Sequence, residues 1–243
     1  MVMDNYNELF YLVFQPIIEI KKDESIDIVE YEVLLRSYEN DRFPNQAFND
    51  LLMVPDKHKL FMSWYAEKIN DILIANETVY LAINIHPKQW EEPAIFDFFN
   101  KLKSFSNRIK IELTEHKDPM TDDICQRFES VYTELARFGY HFVIDDVGNG
   151  VNDIDFVIAH IEQVSSIKFT TLPFRKLKKD TVLLFIDAWF QLAKDFDKDF
   201  IVEGIECQPF SSLLLDKGIR LQQGFLFGEG KRDLVQTDEK YFF

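Results

Sequence analysis

With 243 residues, 47% of them apolar and 24 of them phenylalanine, the chain can bury a large core without disulfides or structural metals as staples. A net charge of −15 argues against a nucleic-acid polymer as the main partner, and no apolar run approaches the roughly 20 residues of a membrane-spanning helix. The acidic start is not a signal peptide, and Cys125 and Cys207 form no metal-spacing motif, so reduced thiols in a cytoplasmic protein are expected.

Residues 11–20 (Y-L-V-F-Q-P-I-I-E-I) have the composition of a strand interrupted at Gln15-Pro16, and residues 26–35 of a second. The polar link between them is hairpin-short, which predicts an antiparallel pair. Residues 60–74 carry apolar side chains at helical spacing, followed by a strand over 79–85 that ends in Asn84, with His86-Pro87 after it. Pro93 opens a helix with Ile95, Phe98, Phe99 and Leu102. Residues 109–114 form a strand bearing Glu112, with Glu115 at its exit. The next helix, expected to start after Asp118-Pro119, repeats at Ile124, Phe128, Val131, Leu135 and Phe138 and stops at Gly139.

The apolar run Phe142-Val143-Ile144 ends abruptly in Asp145 and Asp146, and the glycine-bracketed turn Gly148-Asn149-Gly150 follows. A helix over 152–161 comes next, then a strand over 164–169 with Lys168, and a helix through Ala193 capped at Asp180-Thr181. A strand over 200–205 holds Glu203, a helix spans 209–217, and a last strand over 221–227 holds Gln223. The polar strand tips recur about 20 to 35 residues apart, near the roughly 30 of a βαβ unit. The expectation is α/β: a modified TIM (β/α)8 barrel with an antiparallel first strand, in a single domain over residues 1–243, its site on the rim where the strands' C-terminal ends meet.

On that rim Glu32, Asn84, Glu112, Asp145, Asp146 and Glu203 would share one mouth. Two carboxylates about 4 Å apart repel by roughly 4 kcal/mol at an effective dielectric near 20, so five need protons or hard cations. An all-oxygen set without His or Cys selects magnesium or manganese over zinc, and the ligand count suits two ions acting on a phosphodiester. Lys168 is the cation placed to orient water or to offset charge in the transition state; a structural counter-ion is the plainer role. His86 lines the mouth, while His58, His116, His141 and His160 are surface or packing residues.

The motifs E-V-L-L-R, N-I-H-P, E-L-T-E, D-D-V-G-N-G, I-K-F-T, E-G-I-E and Q-G-F-L-F-G, in this order and spacing, resemble the EAL-domain family of cyclic di-GMP phosphodiesterases. The resemblance implies hydrolysis of cyclic di-GMP to linear pGpG with two magnesium or manganese ions, calcium being inhibitory. It makes Glu32, Asn84, Glu112, Asp145, Asp146 and Glu203 metal ligands or their immediate partners, and Lys168, Glu203 and Asp146 the catalytic set, with Lys168 holding the attacking water. It makes Gln15, Arg36 and Gln223 substrate-side residues, Gln223 also supporting the water and metal shell. It also implies that Glu115 braces the loop after the fifth strand and that the assembly is a homodimer formed near that loop.

The sequence departs from the family in three places. E-V-L stands for E-A-L, and Lys168-Phe169-Thr170 stands where K-I-D is usual. Val147, Asn149, Val151, Asn152 and Asp153 alter the loop usually written F-G-T-G-Y-S-S. Thr170 and that loop keep an alternative open: a degenerate member that holds cyclic di-GMP or a protein partner without hydrolysis. An unrelated metal-dependent barrel hydrolase is a third reading.

Overall fold

A computed structural model describes residues 5–115 and 122–234, without the side chains of 122–127. His116, Asp118-Pro119 and the side chains of Ile124 and Cys125 lie outside that description. After a single helical turn, α1 (Tyr6–Leu9), the strands are β1 (Phe10–Ile20), β2 (Ile26–Ser37), β3 (Leu81–Ile85), β4 (Ile109–Leu113), β5 (His141–Ile144), β6 (Ser166–Thr170), β7 (Asp199–Glu203) and β8 (Leu221–Gln223). The helices between them are α2 (Asn45–Leu52), α3 (Pro55–Ala75), α4 (Ala94–Leu102), α5 (Asp122–Arg137), α6 (Ile154–His160), α7 (Lys179–Asp195) and α8 (Gln208–Asp216).

The eight strands close into a barrel in chain order. β2 to β8 run parallel, and β1 lies antiparallel to both β2 and β8, as the short hairpin link requires. Gln15-Pro16 does not interrupt β1: both residues stay in register with β2, and the irregularity falls one step later, between Ile17 and Ile18. Phe14 N–H bonds to Lys231 rather than to β2, so the nitrogen of Pro16, on the same side of the strand, removes no donor from the β1–β2 ladder.

Alternation along each strand divides the core in two. Ile83, Ile85, Ile111, Leu113, Ile144, Ile167, Phe169 and Val202 belong to the main apolar cluster with the helices. Ile17, Ala82, Val143 and Ile201 are equally buried but stand apart from that cluster, filling the barrel's interior. Two residues further toward the rim, on the same inward face, stand Gln15, Asn84, Asp145 and Glu203.

Several expected boundaries move. β6 ends at Thr170, one residue late, while β7 and β8 stop at Glu203 and Gln223, before the glycines. α6 begins at Ile154, because the Asp153 carboxylate accepts from Phe156 N–H at 3.0 Å and caps it there. Asp180 is not a cap. It is the second residue of α7, and Lys178 holds the cap position without a side-chain bond. α2 has no counterpart among the expected elements, since its short run Asn45–Leu52 buries only Leu51. No helix among the described residues is long and apolar enough to cross a membrane.

The exit of β8 depends on Gly224. Its φ is +156°, and a Cβ there would sit 2.2 to 2.7 Å from the backbone of Ile205. Ile205 N–H donates to the Gln223 carbonyl at 3.1 Å and Leu226 N–H to the Ile205 carbonyl at 3.0 Å, so neither backbone can yield. Gly224→Ala is therefore expected to lower unfolding free energy by about 3 kcal/mol or more, read from urea midpoints. An unchanged midpoint would show that this approach is not tight in solution.

Candidate active site

Lys168 stands at the centre of the barrel mouth and has no solvent exposure. Its Nζ lies 2.8 Å from Glu112 Oε1, 3.4 Å from Asp145 Oδ1 and 3.5 Å from Glu32 Oε2, and forms its tightest pair with Glu203 Oε1. These residues come from β6, β4, β2 and β7 and from the end of β5, so the parallel register gathers them. Within it Asn84 faces Glu112, and Thr170 faces Glu203.

The carboxylates differ in what holds them. Glu32 accepts from Asn84 Nδ2 at 2.8 Å and from Gln223 Nε2 at 2.7 Å. Burial pushes its carboxyl up, but the Lys168 ammonium and these two amides outweigh that and hold it below the usual range. Glu112 is 1% exposed, and Glu112 Oε2 has no hydrogen-bond partner among the described residues. Burial pushes Glu112 and Glu203 well above the usual carboxyl range despite Lys168, with the neighbouring carboxylates adding to the rise. Asp145 is raised by burial, with Lys168 opposing. Burial also opposes the charge on Lys168, but the four carboxylates reverse this and raise it well above its ordinary value.

Asp146 takes a left-handed backbone, φ +46°, as the chain turns out of β5. Oxygens of Asp145, Asp146 and Glu203 come within 4.8 Å of one another. Burial, then the charges of Asp145 and Glu115, raises the Asp146 carboxyl to about 8. The turn continues through Gly148, whose φ of +86° favours glycine and which lies beside the Trp189 ring of α7.

Beside the cluster a cavity of about 480 Å³ is lined by Glu32, Arg36, Asn84, His86, Glu115 and Asp145, among others. Arg36 Nη1 donates to the Leu35 carbonyl at 3.0 Å. Glu115 is half-buried, and burial with the nearby Asp145 charge raises its carboxyl. Gln15 lies opposite Glu32 in the β1–β2 register, and its Nε2 faces the Gly228 carbonyl at 3.4 Å.

Glu32, Asn84, Glu112, Asp145, Glu203 and Gln223 are thus brought together around Lys168. Asp146 joins through Asp145 and Glu203, while Gln15, Arg36 and Glu115 stand at the margin. His86 lines the cavity as expected, and His58 is a packing residue whose burial pulls its imidazole down to about 4. His141 is exposed, and His160 is half-buried against Phe156.

Sequence reasoning missed three contributors. Asn152, expected as a helix start and as a departure in the loop, is buried, with its amide on the Asp145 carbonyl. Thr171 Oγ1 donates to the Glu203 carbonyl at 2.9 Å. The segment after β8 folds back over the start of β1: Phe14 and Lys231 exchange backbone hydrogen bonds at 2.8 and 3.2 Å, and Arg232 stacks on Tyr11 at 3.9 Å. Only polar or charged type, without periodicity, marks these residues in the sequence.

An all-oxygen donor set with the buried, unpartnered Glu112 Oε2 fits a hard divalent cation. Cation-free stability carries its own signature. Asp146 ionises near 8 in the folded chain against an ordinary 3.8. A carboxyl raised in this way contributes stability that is complete below about pH 4 and is lost as the pH rises through about 8. Without divalent ions, the urea midpoint should fall between about pH 5 and about pH 9, and fall less in Asp146→Asn. A midpoint equally steep in the variant would place the effect elsewhere.

A model of the EAL domain matches residues 4–230. The probable cyclic di-GMP phosphodiesterase PdeN of Escherichia coli is 23% identical over 240 residues, covering 90% of this chain and 43% of that protein. An uncharacterized Synechocystis protein is 26% identical over 157 residues, 60% of this chain, so the chain spans only about a fifth to under half of these relatives. Among solved structures, a stand-alone EAL protein from Vibrio cholerae bound to c-di-GMP superposes with a TM-score of 0.70 at 22% identity, over 93% of this chain and 94% of that one. Klebsiella pneumoniae BlrP1, in a complex with calcium and cyclic di-GMP, gives 0.74 at 22% identity, over 94% and 57%. Its fold is theirs, and the extent of the family match makes this chain a member of the EAL domain family.

Proposed function

We propose that the chain hydrolyses cyclic di-GMP to linear pGpG, acting as one unit over residues 1–243. The observation that carries this reading is the Lys168-centred carboxylate cluster, open on one side to a cavity with Arg36 in its wall. Glu32, Asn84, Glu112, Asp145, Asp146 and Glu203 would hold two magnesium or manganese ions. Such ions supply an activated water at neutral pH and a clamp on the phosphoryl oxygens.

The remaining work falls to the chain. Arg36 binds a phosphate of the dinucleotide from the cavity wall, and Gln15 contacts the substrate from β1. Asn84 and Gln223 keep Glu32 ionised by donating to its two oxygens. Lys168 orients the attacking water and stabilises charge gathering on the phosphoryl oxygens. Water adds to phosphorus and the P–O3′ bond breaks, leaving a 5′-phosphate on a linear product. Glu115 supports the loop that carries Asp146.

A receptor that binds without cutting is the second reading, and one observation favours it. Thr170 is buried beside Glu203, where the family resemblance leads one to expect an acid, and its hydroxyl accepts from Leu172 N–H at 3.4 Å.

Product chromatography separates the two. The natural protein with magnesium or manganese should yield pGpG, and Lys168→Ala should lose about a hundredfold or more in rate while still binding the dinucleotide. Calcium, with longer bonds and looser geometry, should support little turnover. Tight binding with no product under either metal would make the rim a receptor site.

We propose a homodimer formed near the loop after β5. Ile154 and Ile158, 49% and 56% exposed and one helical turn apart on α6, offer it an apolar stripe. Sedimentation at micromolar concentration should give a dimer, weakened in Ile158→Glu. A monomer at all concentrations would refute it.

A further inference from the structure

The loop joining β5 to α6 presents Asp145 and Asp146, yet neither carboxylate is anchored by regular structure. What anchors their backbone is Asn152, which is 1% exposed. Its side-chain amide donates to the Leu113 carbonyl at 2.8 Å and also to the carbonyl of Asp145 itself. Two carbonyl oxygens facing one end of an amide require that end to be nitrogen, since the oxygen would repel both. The backbone of Asn152 closes the same turn: its N–H donates to the Asn149 carbonyl at 2.9 Å, and its carbonyl accepts from Gly148 N–H at 2.7 Å.

The neighbouring peptide groups are held with it. Asp145 N–H donates to the Leu113 carbonyl at 3.2 Å, and Val147 N–H donates to the Lys168 carbonyl at 2.9 Å. The left-handed Asp146 is thus gripped on both sides, by Asn152 through the Asp145 carbonyl and by β6 through Val147. Asn152 stands at one of the five positions where this loop departs from the family pattern.

We propose that Asn152 is a positioning residue: its amide locks the Asp145–Asp146 peptide so that both carboxylates face Glu203 as a preformed divalent-cation site. This rests on the metal-dependent reading above. Losing the amide removes the donor that ties Asp145 to the end of β4. The αL turn at Asp146 then relaxes, and the two carboxylates no longer share one fixed geometry. Groups behind a metal's ligands typically alter affinity by about tenfold to a hundredfold when replaced.

The test titrates manganese calorimetrically, without substrate, into the natural protein, Asn152→Asp and Asn152→Ala. The first variant keeps the side chain's shape and removes both donors; the second removes the side chain. A third variant, Leu73→Ala, opens a cavity in α3 near the opposite end of the barrel and controls for general destabilisation. Manganese affinity should fall by about tenfold or more in both Asn152 variants and change little in Leu73→Ala at a comparable loss of melting temperature. Amide hydrogen exchange should rise selectively across residues 145–151 in the Asn152 variants. Natural manganese affinity in the Asn152 variants, or an equal loss in Leu73→Ala, would overturn the proposal. If the natural protein binds no manganese, the metal reading fails, and with it the cation site that the positioning was to serve. Selective exchange in the variants would then leave only a loop brace, which also overturns the proposal as stated.

Discussion

The Lys168 ammonium holds the barrel mouth together. Four carboxylates converge on it from four other strands, and each would repel its neighbours if left ionised alone. One positive charge cannot balance four, so the cluster divides: Glu32 stays charged between two amides, while Glu112 and Glu203 are pushed toward their neutral forms. A buried arrangement of this kind is poor at stabilising a fold, because desolvation offsets much of the attraction. Its chemical meaning is an excess of acidic groups over positive charge, which suits a hard divalent cation.

The scaffold meets that arrangement with few special devices. Inward-facing Ala82, Val143 and Ile201 fill the barrel below the polar rim and keep the lysine dry. Reversing β1 brings the start of the chain, rather than a strand's end, to the same rim. Gln15 therefore reaches the mouth, and the backbone of Phe14 can hold the segment after β8 through Lys231. Positive-φ residues also occur in outer turns, at Glu24, Asp41 and Asp197, but at the rim they mark the exits: Asp146 and Gly148 after β5, and Gly224 after β8. The first two are held by bonds within their own turn, Gly148 N–H to the Asn152 carbonyl and Asn149 N–H to the Asp146 carbonyl, and Gly224 packs on the backbone of Ile205.

The outline of this molecule was legible in local pattern. Short apolar strands ending in Asn84, Glu112, Asp145, Lys168, Glu203 and Gln223 repeat at the length of a βα unit, and a short polar link reverses β1. Periodicity and spacing follow from backbone geometry, so the barrel, its antiparallel strand and the acidic rim could be derived from the sequence itself. The failures were also local in origin. Asp180 has the chemistry of a cap yet lies inside α7, because helix packing rather than the first polar residue sets that start. Pro16 looked like an interruption, but Phe14 N–H points away from β2 to Lys231, so the nitrogen of Pro16, two residues on, lies on that side and costs the β1–β2 ladder no donor.

Partnership was decided only in three dimensions. Asn84 and Gln223 donate to Glu32 across 52 and 191 residues, and no spacing rule connects them. Asn152 looked like a helix start at an altered loop, whereas the fold puts its amide between two carbonyls. Lys168 had two readings in the sequence, water-holder first and counter-ion close behind, and the geometry shows an ammonium at ion-pair distance from all four carboxylates. The physical reason is the same throughout. Strand and helix periods depend on neighbours along the chain, whereas a side chain's charge state and bonding partners depend on which strands close beside it and on how much water they exclude.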